Sequence, residues 1–197
     1  MSERSPGGDT RETILLALIK VIATKGITEF SVQSVADEAG VAHRTVYRYF
    51  PSRETLLEGL AAYLEQSQNI YGLPGAPRDF DELVGAVPRL FRFFDENRDL
   101  VRATVLTAMA IGLEPDVRRT RTEAFLELVR REAPHLSEIE QERWALALRA
   151  LSSSETWVSL TERFGMTSAE AGETVSDALG VLVSHIRGAE VDPRGGG

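Results

Sequence analysis

At 197 residues, with 43% apolar and 26% charged side chains and a formal net charge of -8, the chain is sized for one sizeable core or two small domains. It is too acidic overall for broad, non-specific nucleic-acid binding. It has no cysteine, which excludes disulfides and thiolate metal sites, and its longest uncharged apolar stretch, Ala103 to Leu113, has eleven residues, too few to span a bilayer.

The opening MSERSPGGDTRE lacks the apolar core of a secretion signal, so residues 1–8 read as a disordered tail and the protein is expected to be cytoplasmic. Helical spacing then runs through nearly every segment, with no alternating Val, Ile and Thr run to suggest a strand, so an all-α fold is expected. The helices are predicted at 10–25, 32–39, 42–49, 52–70, 80–96, 99–111, 115–132, 138–164 and 168–187. A capping side chain followed three positions later by Glu marks starts at Asp9/Glu12, Asp79/Glu82, Ser137/Glu140 and Thr167/Glu170. Gly26, Gly40, Gly72, Gly112, Gly165 and Gly188 mark stops. The loop GLPGAPRD, Gly72 to Asp79, is the clearest joint, and the closing VDPRGGG reads as a second disordered tail at 189–197.

Between the second and third helices lies a helix-turn-helix pattern. Two short helices that cross sharply need a small residue at closest approach, a glycine in the turn and apolar anchors. Ala36, Gly40 and Val46 fill those places, with Val35, Ala39 and Val41 in the wedge and Phe30 before the Ser31 cap positioned to staple onto Val35. The following helix then turns His43, Arg44, Thr45, Tyr47 and Arg48 away from Val46, and no acid occurs between Glu38 and Glu54. A helix of this width fits the major groove, where Arg grips guanine and a Thr methyl meets thymine. Tyr hydroxyls and Arg53, beside the Ser52 cap, can meet phosphates. Phe50 reads as core, and Tyr49 as either core or contact.

Residues 9 to 60, about a quarter of the chain, resemble the DNA-binding domain of the tetracycline-repressor (TetR) family of transcriptional regulators, through the pattern TVYRYF followed by PSRETLL. The resemblance implies base contacts from His43, Arg44 and Thr45 with Gln33 assisting, and phosphate contacts from Tyr47, Tyr49 and Arg53. Two positions depart from the family pattern: Ala42 stands where many members have Ser, and Arg44 where many have Gly. The operator sequence therefore does not carry over. The division expected is a helix-turn-helix domain at 9–58 and a helical ligand-binding and dimerisation domain at 59–188.

In the second part, Pro88 interrupts a helix rich in apolar bulk that includes Phe91 and Phe94 and should bend it. The resemblance implies an enclosed cavity for a small, largely apolar effector, with Phe91, Phe94, Thr104, Thr107, Met109, Trp144 and Glu155 as candidate lining; an ordinary filled core has the same spacing. Glu155 lies eleven residues beyond Trp144, about three full turns, and so shares its stripe, where it either pairs with an arginine or meets a ligand. The last helix carries Gly172, Ser176, Gly180 and Ser184 at four-residue spacing. That stripe permits close helix approach, either inside one subunit or across a dimer. By the family's habit of pairing its last helices, Trp157, Gly172, Ser176, Leu179, Gly180 and Val183 are candidate dimer contacts.

A homodimer on palindromic double-stranded DNA, released by a small molecule, is the leading expectation. A ligand-independent DNA-binding dimer controlled by a protein partner or by abundance is the alternative. No cofactor, metal or membrane partner is expected, nor is catalysis: His43, His135 and His185 lie on separate segments, and SSSE at Ser152 to Glu155 has no base near it in sequence.

Overall fold

The computed structural model describes residues 6–70, 77–111 and 116–188, and these are helical with no strand among them. In chain order the helices are α1 (Pro6–Lys25), α2 (Val32–Ala39), α3 (His43–Tyr49), α4 (Arg53–Ile70), α5 (Phe80–Glu96), α6 (Arg98–Ile111), α7 (Asp116–Glu132), α8 (Glu138–Leu151), α9 (Ser154–Val158) and α10 (Ser168–Ile186). Among the described residues no helix is long and apolar enough to cross a membrane. The C-terminal stretch read as a tail lies outside the described residues, as do Gly72 and Gly112.

Several starts follow the sequence pattern. Ser137 and Glu140, like Thr167 and Glu170, form reciprocal capping boxes. At α5 the Asp79 carboxylate accepts from the Glu82 N–H at 2.7 Å, while the Glu82 carboxylate reaches one residue further back, to the Arg78 N–H at 2.7 Å. α1 differs: it begins at Pro6, inside the stretch read as a tail, and runs through Asp9 instead of starting there. Proline at the first helical position gives up an N–H that has no partner anyway.

The contacts divide the chain into two compact units, one holding residues 6–70 and 97–111, the other 77–96 and 116–188 of those described. In the first, Ile14, Leu15, Leu18 and Ile22 of α1 are fully buried against Phe30, Val35, Ala36, Val46, Phe50, Leu56 and Leu60. Ala103 of α6 joins this core. α6 therefore packs with α1 and α4, although the sequence reading assigned residues 99–111 to the second domain; an amphipathic helix reveals its apolar face and not which neighbour covers it.

In the second unit α10 lies along α5, and α7 along α8. The stretch predicted as one helix over 138–164 is broken. α8 stops at Leu151, Ser153 caps α9 by accepting from the Thr156 N–H at 3.2 Å, and a π turn follows at Ser159–Arg163. The cause is the serine triplet: the Ser152 hydroxyl donates back to the Leu148 carbonyl at 2.9 Å, and serine side chains compete with the helical ladder for backbone partners.

Candidate nucleic-acid interface

The turn between α2 and α3 rests on one backbone conformation. Gly40 has φ 65 and ψ 28, and the Val41 N–H behind it returns to the Ala36 carbonyl at 3.0 Å. A left-handed residue here is unstrained only without a β-carbon. Ala36 is fully buried where the helices meet, and the backbone N–H groups of Ser31 and Ser34 each donate to the other's hydroxyl at 3.1 Å to start α2. Thus α3 is held by Val46, which is fully buried, and by Phe50. Its start has no side-chain cap, as expected of Ala42.

That seating leaves one face outward. His43, Arg44, Tyr47 and Arg48 are exposed, Tyr47 by 44%, so Tyr47 is not a core aromatic. His43 and Tyr47, one turn apart, meet edge to face with ring centres 4.9 Å apart. Thr45 is half-buried at the flank. Tyr49 is half-buried too, packed on the core, with the Arg48 guanidinium 5.1 Å from its ring centre. The face therefore carries two cations, an imidazole and a phenol on one helix, in a stretch without acids.

Two flanking residues are already engaged. Arg53 sits over the ring of Phe30 at 4.4 Å and donates to the Ile27 carbonyl, which ties the start of α4 to the loop before α2. It remains exposed, so part of its fork still faces solvent. Gln33 gives its amide N–H to Asp37 at 2.7 Å, one turn along α2.

The residues expected around an effector fall in different units. Thr104, Thr107 and Met109 stand on α6: the Thr104 hydroxyl donates to the Leu100 carbonyl at 2.8 Å, Thr107 is buried, and Met109 is 74% exposed. Phe91 and Phe94 are core residues of the second unit, Phe94 edge-on to Trp157 at 5.9 Å. Trp144 is half-buried against His185 at 5.6 Å. Because the helix breaks at Ser152, Glu155 does not continue the Trp144 stripe; it lies in the first turn of α9 and accepts from the Ser154 hydroxyl at 3.2 Å.

A cavity of about 230 Å³ does occur in the second unit. It is lined by Pro77, Arg78, Glu82, Leu83, Ala86, Val87, Arg89 and Leu90 of the α5 segment, Arg121 and Phe125 of α7, and Ser152. None of the residues expected at an effector site lines it. Its arginines were not singled out because helical arginines at a distance in sequence read as a solvated surface.

Most of the expected dimer contacts turn inward. Trp157 is fully buried and donates its indole N–H to the Ser168 hydroxyl at 3.0 Å, and Leu179 and Val183 are buried as well. A β-carbon on Gly172 would lie 3.0 Å from the Pro88 Cα, and Ser176 donates to the Val84 carbonyl at 3.0 Å. These positions serve the α5–α10 contact within the subunit. Gly180 differs, with open space where its β-carbon would be. Apolar side chains that do face outward are Ile139, Leu146, Phe164 and Val181, each more than half exposed.

A family model described as bacterial regulatory proteins, tetR family, matches residues 14–60. Among curated proteins, the HTH-type transcriptional regulator EthR of Mycolicibacterium smegmatis is 30% identical over 76% of this chain and 63% of its own length. The nucleoid occlusion factor SlmA of Vibrio atlanticus is 29% identical over 60% of this chain and 62% of its own. The chain thus spans less than two thirds of these relatives. Among solved structures, a TetR-like transcriptional regulator from Rhodococcus sp. RHA1 aligns over 92% of this chain and 99% of its own with TM-score 0.64 and 16% identity. Salmonella enterica GusR aligns over 95% and 100% with TM-score 0.60 and 20% identity, a likeness of fold.

Proposed function

By its residues 14–60 this chain is a member of the tetR family of bacterial regulatory proteins, and from that premise we propose that it is a DNA-binding transcriptional regulator acting as a homodimer on a palindromic operator. The observation that carries the reading is the outward face of α3, with His43, Arg44, Tyr47 and Arg48 exposed around a buried Val46. Arg44, His43 and Thr45 read base edges with Gln33 at the flank, and Tyr47, Tyr49 and Arg53 hold phosphates. One such helix covers too few base pairs for useful specificity, so two copies bind half-sites about 34–36 Å apart. The exposed Leu146 of α8 and Val181 of α10 supply an apolar face for the second copy.

The regulator is a repressor that a small, largely apolar ligand releases from its operator. Release requires that the ligand bind the non-DNA-binding form better, and a coupling of about 1–3 kcal/mol changes operator affinity roughly 5- to 150-fold. The cavity in the second unit supports a ligand of modest size, below the usual drug-sized pocket. Similarity to proteins named nucleoid occlusion factor favours a second reading, in which DNA binding is controlled by a protein partner or by abundance.

Selection of bound sequences from random duplex DNA, followed by titration at several salt concentrations, tests the first step. A palindromic consensus whose affinity falls steeply with salt is expected; absence of any duplex binding would end this reading. Screening small molecules for release then separates the two modes of control.

A further inference from the structure

We propose that the effector cavity takes a small carboxylate with an apolar body, whose head is clasped by Arg121. This rests on the ligand-release reading for its biological use, and on the cavity alone for its chemistry.

Three arginines and one carboxylate line the cavity: Arg78, Arg89, Arg121 and Glu82. Arg78 and Glu82 satisfy each other at 2.9 Å, and Glu82 also takes the Arg78 N–H, so that pair is electrically closed. Arg121 is only partly exposed, and its guanidinium makes no hydrogen bond or ion pair among the described residues. Its charged neighbours are Arg149, which gives its Nε–H to the Thr122 hydroxyl at 2.9 Å, and Glu155. Arg121 is thus under the influence of one further guanidinium and one carboxylate beside a cavity that Arg89 also lines, in a chain of net charge -8. Burial, then Arg149, press the Arg121 pKa downward, with Glu155 opposing.

A partly buried guanidinium with no hydrogen-bond acceptor among the described residues has lost part of its hydration, and an entering anion offsets that cost. Arg presents two parallel N–H groups that match the two oxygens of a carboxylate. Apart from Ser152 the remaining walls are apolar, with Leu83, Val87, Leu90 and Phe125 the bulkiest, which suits an alkyl or aryl body. A phosphate would leave oxygens against these apolar walls, and with Arg78 paired and Arg89 exposed, Arg121 is the one partly buried guanidinium left for an anion, which favours the carboxylate.

The test uses the full chain without DNA. Calorimetric titrations run from acetate to nonanoate, with benzoate and phenylacetate, each beside its neutral primary amide, and with inorganic phosphate as a further arm. At least one acid should bind saturably, about tenfold or more tighter than its amide, since one charge-assisted pair is worth that much. Arg121→Gln should erase the difference, and Arg121→Lys, which keeps charge and loses the fork, should weaken it. If no acid binds, if amide or phosphate binds as well, or if Arg121→Gln retains the preference, the proposal fails. Should Arg121→Gln not fold, the acid-against-amide comparison in the natural chain decides alone. An acid that binds while operator affinity stays unchanged upholds the site and overturns ligand release instead.

Discussion

The Ser176 hydroxyl donates to the Val84 carbonyl at 3.0 Å, the same carbonyl that Pro88, four residues on, cannot serve because proline has no N–H. Beside this bond Gly172 lets the Pro88 backbone approach. A defect in α5 is thus completed by two small residues of α10, one supplying a donor and one supplying space.

Ser176→Ala leaves that half-buried carbonyl without this donor and should lower unfolding free energy by about 1 kcal/mol in urea titration. In a Pro88→Ala background the helix recovers its own N–H, so the same change should cost clearly less. An equal cost in both backgrounds would mean that the hydroxyl does not compensate for the proline.

Arg44→Ala should weaken the preferred duplex by about 1–3 kcal/mol and relax discrimination at one base position. Tyr47→Phe removes the hydroxyl proposed to meet phosphate and should weaken all duplexes nearly alike. Competition binding with single-base operator variants separates these two behaviours. Loss of discrimination in Tyr47→Phe would reverse the assigned roles.

Leu146→Glu and Val181→Glu place charges on the outward apolar positions of α8 and α10, both exposed within the subunit. Each should shift the protein toward monomer in sedimentation while its helical circular dichroism is unchanged. DNA affinity should fall with dimer content. A dimer that survives both changes uses another surface.

Glu140 and Glu170 sit in capping boxes, where hydrogen bonds from Ser137 and Thr167 hold their pKa values below the ordinary carboxylate range. A depressed folded-state pKa means stabilisation that is present above the unfolded value and lost as pH falls through the folded one. The melting temperature should therefore be level above about pH 5 and drop below about pH 4. A Glu140→Ala, Glu170→Ala double variant should melt lower at neutral pH and lose less on acidification.

The helix-turn-helix was legible because its signals are local. Gly40 needs no distant partner to favour a left-handed turn, and the spacing of Ala36 and Val46 specifies which side of α3 is covered. The outward set from His43 to Arg48 follows from the same arithmetic. The start of α1 was misjudged for an equally local reason, since Pro6 opens a helix within a Ser-, Gly- and Pro-rich stretch that reads as coil. The break at Ser152 is a competition between side-chain and backbone hydrogen bonds that helical periodicity does not register.

Sequence alone determined the all-helical class, the capped starts of α5, α8 and α10 and the basic face of α3, because each depends on residues within a few turns of one another. Tertiary structure decided that α6 packs with α1 and α4, that Gly172 and Ser176 pack on the Pro88 turn within the subunit, and that Arg121 lines a cavity with no hydrogen bond among the described residues. Those outcomes depend on which faces meet across long chain separations, where many apolar stripes are interchangeable in pattern and only close packing distinguishes them.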